Sequence, residues 1–225
     1  MEALTNLSNS IGDSNATHIL TGKTALVTGG GRGLGATISK TLAKRGANVV
    51  VNYFNNEGSA NEIVSQIKTI KESDPLVGNT IGVKADVTDA ECVSSMMDKI
   101  KDTFDHVDIM VNNAMTGLYF LKPFLELKWE DFYERFYDEI KAAYEITRAT
   151  LPSIIKHNYG KIVYIATGSA KYPNPPGAIA FGTAKAGLVA FAKYIAQEYG
   201  RNGMSKYCIT RIGTTRFVIN DRKGK

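Results

Sequence analysis

From Thr24 onward, short apolar runs rich in β-branched residues alternate with stretches whose apolar residues recur at helical spacing. No hairpin signal joins one apolar run to the next, so each return passes through a helix. Strands connected that way lie parallel, and helices must cover both faces of their sheet. The spacing predicts strands at Ala25–Val27, Asn48–Tyr53, Thr80–Lys84, Val107–Val111, Lys161–Ile165 and Tyr207–Ile212. It predicts helices over Leu34–Arg45, Glu57–Lys71, Thr88–Phe104 with Thr88 as N-cap, about Glu130–His157 with an interruption or bend near Pro152, and Thr183–Tyr199. The expected class is α/β, a doubly wound parallel sheet in three αβα layers. It is read as one domain over residues 22–225, after a polar, flexible lead-in over 1–21.

Composition narrows the function classes. Hydrophobic residues make up 44% and charged residues 22%, the balance of a globular chain. No apolar run reaches the roughly 20 residues of a bilayer span, and the N-terminus lacks the basic start and apolar stretch of a signal peptide. The two cysteines cannot by themselves make a disulfide framework or a metal site, and no metal ligand set is read elsewhere. A reducing, cytoplasmic setting without membrane contact is the expectation. The net charge of +5 is local: residues 201–225 carry seven basic side chains and one acidic, or +6, which leaves about −1 for the rest. With no nucleic-acid signature beside it, this basic end reads as a solvated segment, so no nucleic-acid partner is expected.

The sharpest local signal is Thr28-Gly-Gly-Gly-Arg-Gly-Leu-Gly35, directly after a strand and opening a helix. Glycines there let the backbone turn sharply and approach a pyrophosphate, while the helix N-terminus offers unpaired N–H groups and a positive dipole end. Gly29, Gly31, Arg32, Gly33, Leu34 and Gly35 are therefore read as dinucleotide-binding, on a Rossmann-type fold. A carboxylate at the end of the next strand would favour the ribose 2′-hydroxyl of NAD. Asn52 and Tyr53 stand there instead, with no acid before Glu57. Arg32, inside the turn, suits a 2′-phosphate or else points to solvent. The first reading gives NADP(H) as cofactor.

These residues resemble the short-chain dehydrogenase/reductase family, especially its 3-oxoacyl-[acyl-carrier-protein] reductase type, over roughly Gly22 to Gly200. Thr28, Gly29, Gly33 and Gly35 fit that family's cofactor turn. Asp86-Val87 stands where the family contacts adenine, and Asn112-Asn113-Ala114 follows the fourth strand as the family's Asn-Asn-Ala-Gly does. Phe181-Gly-Thr-Ala-Lys185 takes the place of its Tyr-x-x-x-Lys. The resemblance implies hydride transfer between a nicotinamide and a carbonyl carbon, on a small carbonyl or acyl-thioester substrate. In such a site a tyrosine moves the proton, a lysine one helical turn later lowers its pKa and holds the ribose, a serine steadies the oxygen, and an asparagine supports a relay water.

Against that pattern, only Lys185 matches. Phe181 has no ionisable group, Thr167 (with Ser169 as an alternative) takes the serine position, and Glu139 takes the asparagine position. Met115 replaces the glycine after Ala114, where it would crowd the nicotinamide. Tyr164 and Tyr172 are near in sequence but lack the one-turn relation to Lys185. Two readings of Glu139 stay open: an ion pair with Lys185, or a carboxylate facing solvent. Reductase activity is thus expected to be weak or absent, and a silent cofactor-binding regulatory or partner subunit is the alternative. Set against the family, the resemblance leads one to expect that roughly 20 to 40 residues of lid and last edge strand are missing, an estimate from ordinary domain size. The helices at 130–157 and 183–200 are expected to pair copies into a homodimer or tetramer, since the second is apolar nearly all round.

Overall fold

The computed structural model describes residues 18–115, 120–200 and, for its backbone only, the strand at 204–212. Residues 1–17 of the lead-in and the segment after 212 lie outside the described residues. The chain falls into two compact units that divide after Lys84.

The first unit winds β1 (Thr24–Val27), α1 (Gly33–Lys44), β2 (Asn48–Tyr53), α2 (Glu57–Ser73) and β3 (Thr80–Lys84). β2 pairs in parallel with β1 on one side, Val27 opposite Val51, and with β3 on the other, Tyr53 opposite Lys84. Ala25, Leu26 and Val27 of β1 and Val49, Val50 and Val51 of β2 are wholly buried, so these strands read as continuous apolar runs and not as alternating ones. Ile63 and Ile67 seat α2 on that core, and Asn56 caps its start by accepting the Ser59 N–H at 3.0 Å. The end of the lead-in is tied down: the Leu20 N–H donates to Arg45 O at 2.8 Å, and the His18 ring meets Asp74 at 2.9 Å.

The second unit runs α3 (Ala90–Phe104), β4 (Ile109–Asn112), α4 (Trp129–Lys156), β5 (Gly160–Thr167), α5 (Ile179–Tyr199) and β6 (Met204–Ile212), with short 3₁₀ turns at Phe124–Glu126 and Gly168–Ala170. β5 lies parallel between β4 and β6. Ala184, Leu188 and Ala192, each one helical turn from the next, present a wholly buried stripe of α5.

Three boundaries differ from the sequence expectation, for identifiable reasons. Asp89, not Thr88, caps α3 by accepting the Cys92 N–H at 2.8 Å, while Thr88 is engaged by the Asp86 carboxylate. α4 continues through Pro152 as one helix to Lys156. α5 begins at Ile179, four residues before Thr183, which puts Phe181 in its first turn; its N-cap is Ala178, which gives no capping signal. A fourth difference concerns membranes. α5 is one helix long and apolar enough to cross a bilayer by length and composition, with a mean hydropathy of 1.3 in its most apolar window. Its buried stripe and Lys185 are used inside the unit instead.

Candidate functional site

In the first unit, the glycine turn is braced from β2 and α1. The Gly29 N–H donates to Asn52 Oδ1 at 3.3 Å, the Gly30 N–H to Asn52 O at 2.9 Å, and Ser39 Oγ donates to Gly30 O at 3.3 Å. Gly33 has φ +51, a left-handed backbone that side chains resist, and nothing lies within 4 Å of where its Cβ would stand. Gly31 is needed for close approach, since a Cβ there would sit 3.0 Å from the backbone of Ala60. Arg32 is the N-cap residue of α1, extended and exposed, with no side-chain cap and no acid in the helix's first turn. Leu34 is 42% exposed beside it, and Gly35 is buried in the helix.

An uncapped, acid-free helix start facing open space, with a guanidinium at its rim, fits a dinucleotide pyrophosphate. Asn52 sits behind the turn. Its side chain is 2% exposed and turned inward, accepting from the turn and donating to Val83 O at 3.4 Å and Tyr53 O at 3.5 Å. It shapes the cradle from behind. An aspartate could not donate to those carbonyls, which is a structural reason for the missing acid. Tyr53 is half-buried, and burial, then the Glu57 carboxylate it bonds to, push its phenol pKa up.

In the second unit, the family's positions converge on one buried chain of charges. Lys185 Nζ donates to Glu139 Oε1 at 2.7 Å and to Ile165 O, from β5, at 2.9 Å. The other carboxylate oxygen, Glu139 Oε2, accepts from Arg135 Nη2 at 2.8 Å, one helical turn back on α4. The Arg135 guanidinium in turn lies 5.2 Å from the centroid of the Phe181 ring. Arg135 and Glu139 are each 2% exposed and Lys185 6%. The geometry therefore answers the open question about Glu139: it faces Lys185, not solvent. In the sequence Arg135 is one charge among several on this helix, and its spacing of four from Glu139 is the only signal that it bears on the site.

The remaining positions surround this network in sequence. Thr167 ends β5 and accepts the Ser169 N–H at 3.4 Å, so its hydroxyl keeps its hydrogen for donation. Ser169 Oγ instead donates to Asn174 O, a tie within its loop. Asp86 accepts from the Thr88 N–H at 2.9 Å and hydroxyl at 2.7 Å, and Val87 is buried beside it. Asn113 and Ala114 are half-buried, whereas Met115 is 57% exposed and not packed into the unit. Tyr164 is wholly buried, bonds Thr147 at 2.7 Å, and burial drives its pKa further up, which removes it as a substitute proton donor. Tyr172 is exposed, with the Lys171 ammonium over its ring.

Asp138, next to Glu139, carries a raised carboxyl pKa, chiefly from burial and then from Glu134 and Asp86, with Arg135 opposing. A carboxyl raised on folding stabilises only while protonated, and that contribution is lost as pH rises through the folded pKa. Asp138→Asn is therefore expected to raise the melting temperature at pH 7, with a gain that shrinks as the pH falls toward the ordinary aspartate range. A melting series across that range checks it, and a gain independent of pH would contradict the assignment.

Residues 23–217 match the family model described as short chain dehydrogenase. The chain is 35% identical to Oxidoreductase UcpA of Salmonella typhimurium over 188 residues, 82% of this chain and 66% of that protein. It is 34% identical to 3-oxoacyl-[acyl-carrier-protein] reductase FabG of Escherichia coli over 185 residues, 82% of this chain and 70% of that one. Among solved structures, a short chain dehydrogenase from Burkholderia cenocepacia in complex with NADP matches with a TM-score of 0.74 at 28% identity, over 91% of this chain and 79% of that chain. A metagenomic short-chain oxidoreductase in complex with NADP matches with a TM-score of 0.75 at 25% identity, over 87% and 84%. These likenesses carry the doubly wound parallel α/β fold class with them, and the chain belongs to the short-chain dehydrogenase family.

Proposed function

We propose that this chain is an NADP(H)-binding family member whose carbonyl reductase chemistry runs orders of magnitude below that of relatives carrying the full catalytic set. The observation that carries this reading is the 2.7 Å contact between Lys185 and Glu139, with a phenylalanine at the proton donor's position one helical turn before Lys185. The nicotinamide supplies a hydride when bound. The N–H groups at the start of α1 would hold the pyrophosphate, and Arg32 at its rim would hold the 2′-phosphate. Thr167 would donate to a substrate oxygen, but Phe181 has no proton to give, and general acid catalysis typically accounts for about 10² to 10⁴ in rate. Resemblance to the FabG protein makes a 3-oxoacyl thioester the substrate class of choice. Exposed apolar side chains on both helices, among them Tyr137 and Tyr144 of α4 and Tyr194 of α5, support a homodimer or tetramer through α4 and α5.

Fluorescence titration tests the cofactor half. NADPH is expected to bind more tightly than NADH, and Arg32→Ala is expected to weaken NADPH by about tenfold while leaving NADH nearly unchanged, because one charge-assisted phosphate contact is lost. No binding of either nucleotide at millimolar concentration would remove the proposal's first half. Steady NADPH oxidation with an acetoacetyl thioester, at rates ordinary for the family, would remove its second.

A further inference from the structure

Two of the chain's three histidines meet at the opposite end of the second unit's strands. Asp105 follows the last residue of α3 with φ +70 and ψ −56, and the His106 N–H donates back to Phe104 O at 2.9 Å, closing a three-residue turn around it. That backbone conformation is rare and costly for a residue with a side chain. It sets Asp105 Oδ2 2.8 Å from His106 Nδ1. The other ring nitrogen, Nε2, lies 3.5 Å from Oδ1 of Asp108, whose side chain is 2% exposed. With Nε2–H turned to Asp108, Nδ1 keeps its lone pair beside the Asp105 carboxylate, and a cation shared by these two would satisfy both.

His157, the residue after α4, completes the cluster. Its Nδ1 lies 2.9 Å from Ser153 O, and a carbonyl only accepts, so Nδ1 carries the hydrogen and Nε2 keeps the lone pair. Its ring stacks on His106 at 3.8 Å, with 8° between the planes. Each histidine thus has one nitrogen oriented by a carboxylate or backbone carbonyl, the outer arrangement that metal-bound imidazoles use. One ligand atom from each of Asp105, His106 and His157 lies within 4.8 Å of the other two. Zinc bonds of about 2.0–2.1 Å place neighbouring ligand atoms roughly 3.3 Å apart. The exposed His157 side chain must therefore swing off the stack to close the site.

We propose that Asp105, His106 and His157 bind one zinc(II) or similar late first-row divalent ion, with Asp108 orienting His106. Two imidazoles and a carboxylate suit that class of metal, not magnesium or calcium. The ion would staple the end of α3 to the end of α4. β5 is eight residues long, so this staple sits roughly 20 Å from Thr167 at its other end and serves stability, not hydride chemistry.

Calorimetric titration of the untagged, metal-free full chain with zinc chloride tests this, with cobalt(II) absorption as a second readout. About one equivalent is expected to bind with Kd near or below 10 μM, a surface-site estimate for three ligands. Visible d–d bands of cobalt are expected, and zinc at 100-fold over Kd should raise the melting temperature by roughly 5–10 °C. His157→Ala and Asp105→Asn, both at exposed positions, should each weaken binding at least tenfold, and His18→Ala should not change it. No binding up to 1 mM zinc overturns the proposal. So does equal binding by wild type and His157→Ala, which would place the ion elsewhere, for example on Cys92.

Discussion

Phe181→Tyr alone is expected to change NADPH-dependent reduction of an acetoacetyl thioester by less than about tenfold, whereas Arg135→Met/Glu139→Asn/Phe181→Tyr together should raise it by about 10² to 10⁴. A tyrosine hydroxyl is a useful acid only if its pKa is brought down toward the working pH. A lysine ammonium about 5–6 Å away would contribute roughly 3 kcal/mol at an effective dielectric near 20, or about two pKa units. Glu139, 2.7 Å from that ammonium, opposes most of this. It also directs Lys185 Nζ toward α4 and Ile165 O, leaving one of three ammonium hydrogens for any other partner. A hydroxyl placed at 181 therefore meets a lysine whose charge is already spent. Removing Glu139 without Arg135 would leave two buried cations in one network, so both must go for Lys185 to act alone. Initial rates for the single, double and triple variants decide the matter. A hundredfold gain from Phe181→Tyr alone would mean that Glu139 does not silence Lys185.

What could be read in advance, and what could not, divides along physical lines. The strands of the first unit were legible because wholly buried parallel strands write continuous apolar runs such as the one centred on Val49, Val50 and Val51. The glycine turn was legible because few other needs place so many glycines between a strand and a helix. Helix starts were less so. Thr88 and Asp89 both have cap-competent side chains, and only the structure shows which accepts the Cys92 N–H. Ala178 marks nothing, so the sequence pattern places the start of α5 at Thr183, four residues late. Phe181 and Lys185 were visible as residue types, but contacts between α4 and α5 depend on how helices dock. The Glu139–Lys185 pair could thus be framed as a question, while Arg135 was one charge on a helix with several. The sequence marks Asn52 by its place at the end of β2, but the bonds of its amide to the turn and to Val83 O are visible only in three dimensions. The His106–His157 stack joins residues 51 apart in sequence (157 − 106), beyond any local pattern.

Glu139→Gln is expected to cost about 3–5 kcal/mol of stability, while Arg135→Met and Lys185→Met each cost much less. The asymmetry follows from who bridges whom. Glu139 accepts from both cations through different oxygens, at 2.8 Å from Arg135 and 2.7 Å from Lys185. Deleting either cation leaves one matched pair, still buried and hydrogen-bonded. Deleting the anion leaves two like charges without their common partner, at positions 2% and 6% exposed, where water cannot screen them. A loss of that size should lower the melting temperature by on the order of 10 °C for a chain of this length. Replacing all three, as Arg135→Met/Glu139→Leu/Lys185→Met, should recover most of the loss, because burying charges costs as much as their pairing returns. Urea denaturation of the three single variants and the triple variant measures the order directly. If Glu139→Gln is too unstable to purify, Glu139→Gln/Lys185→Met leaves a single buried cation and is expected to fall between the extremes. Equal costs for all three single substitutions would show that the carboxylate is not the hub. In that event Lys185 would owe its position to Ile165 O, and the electrostatic account of its silence would fail with it.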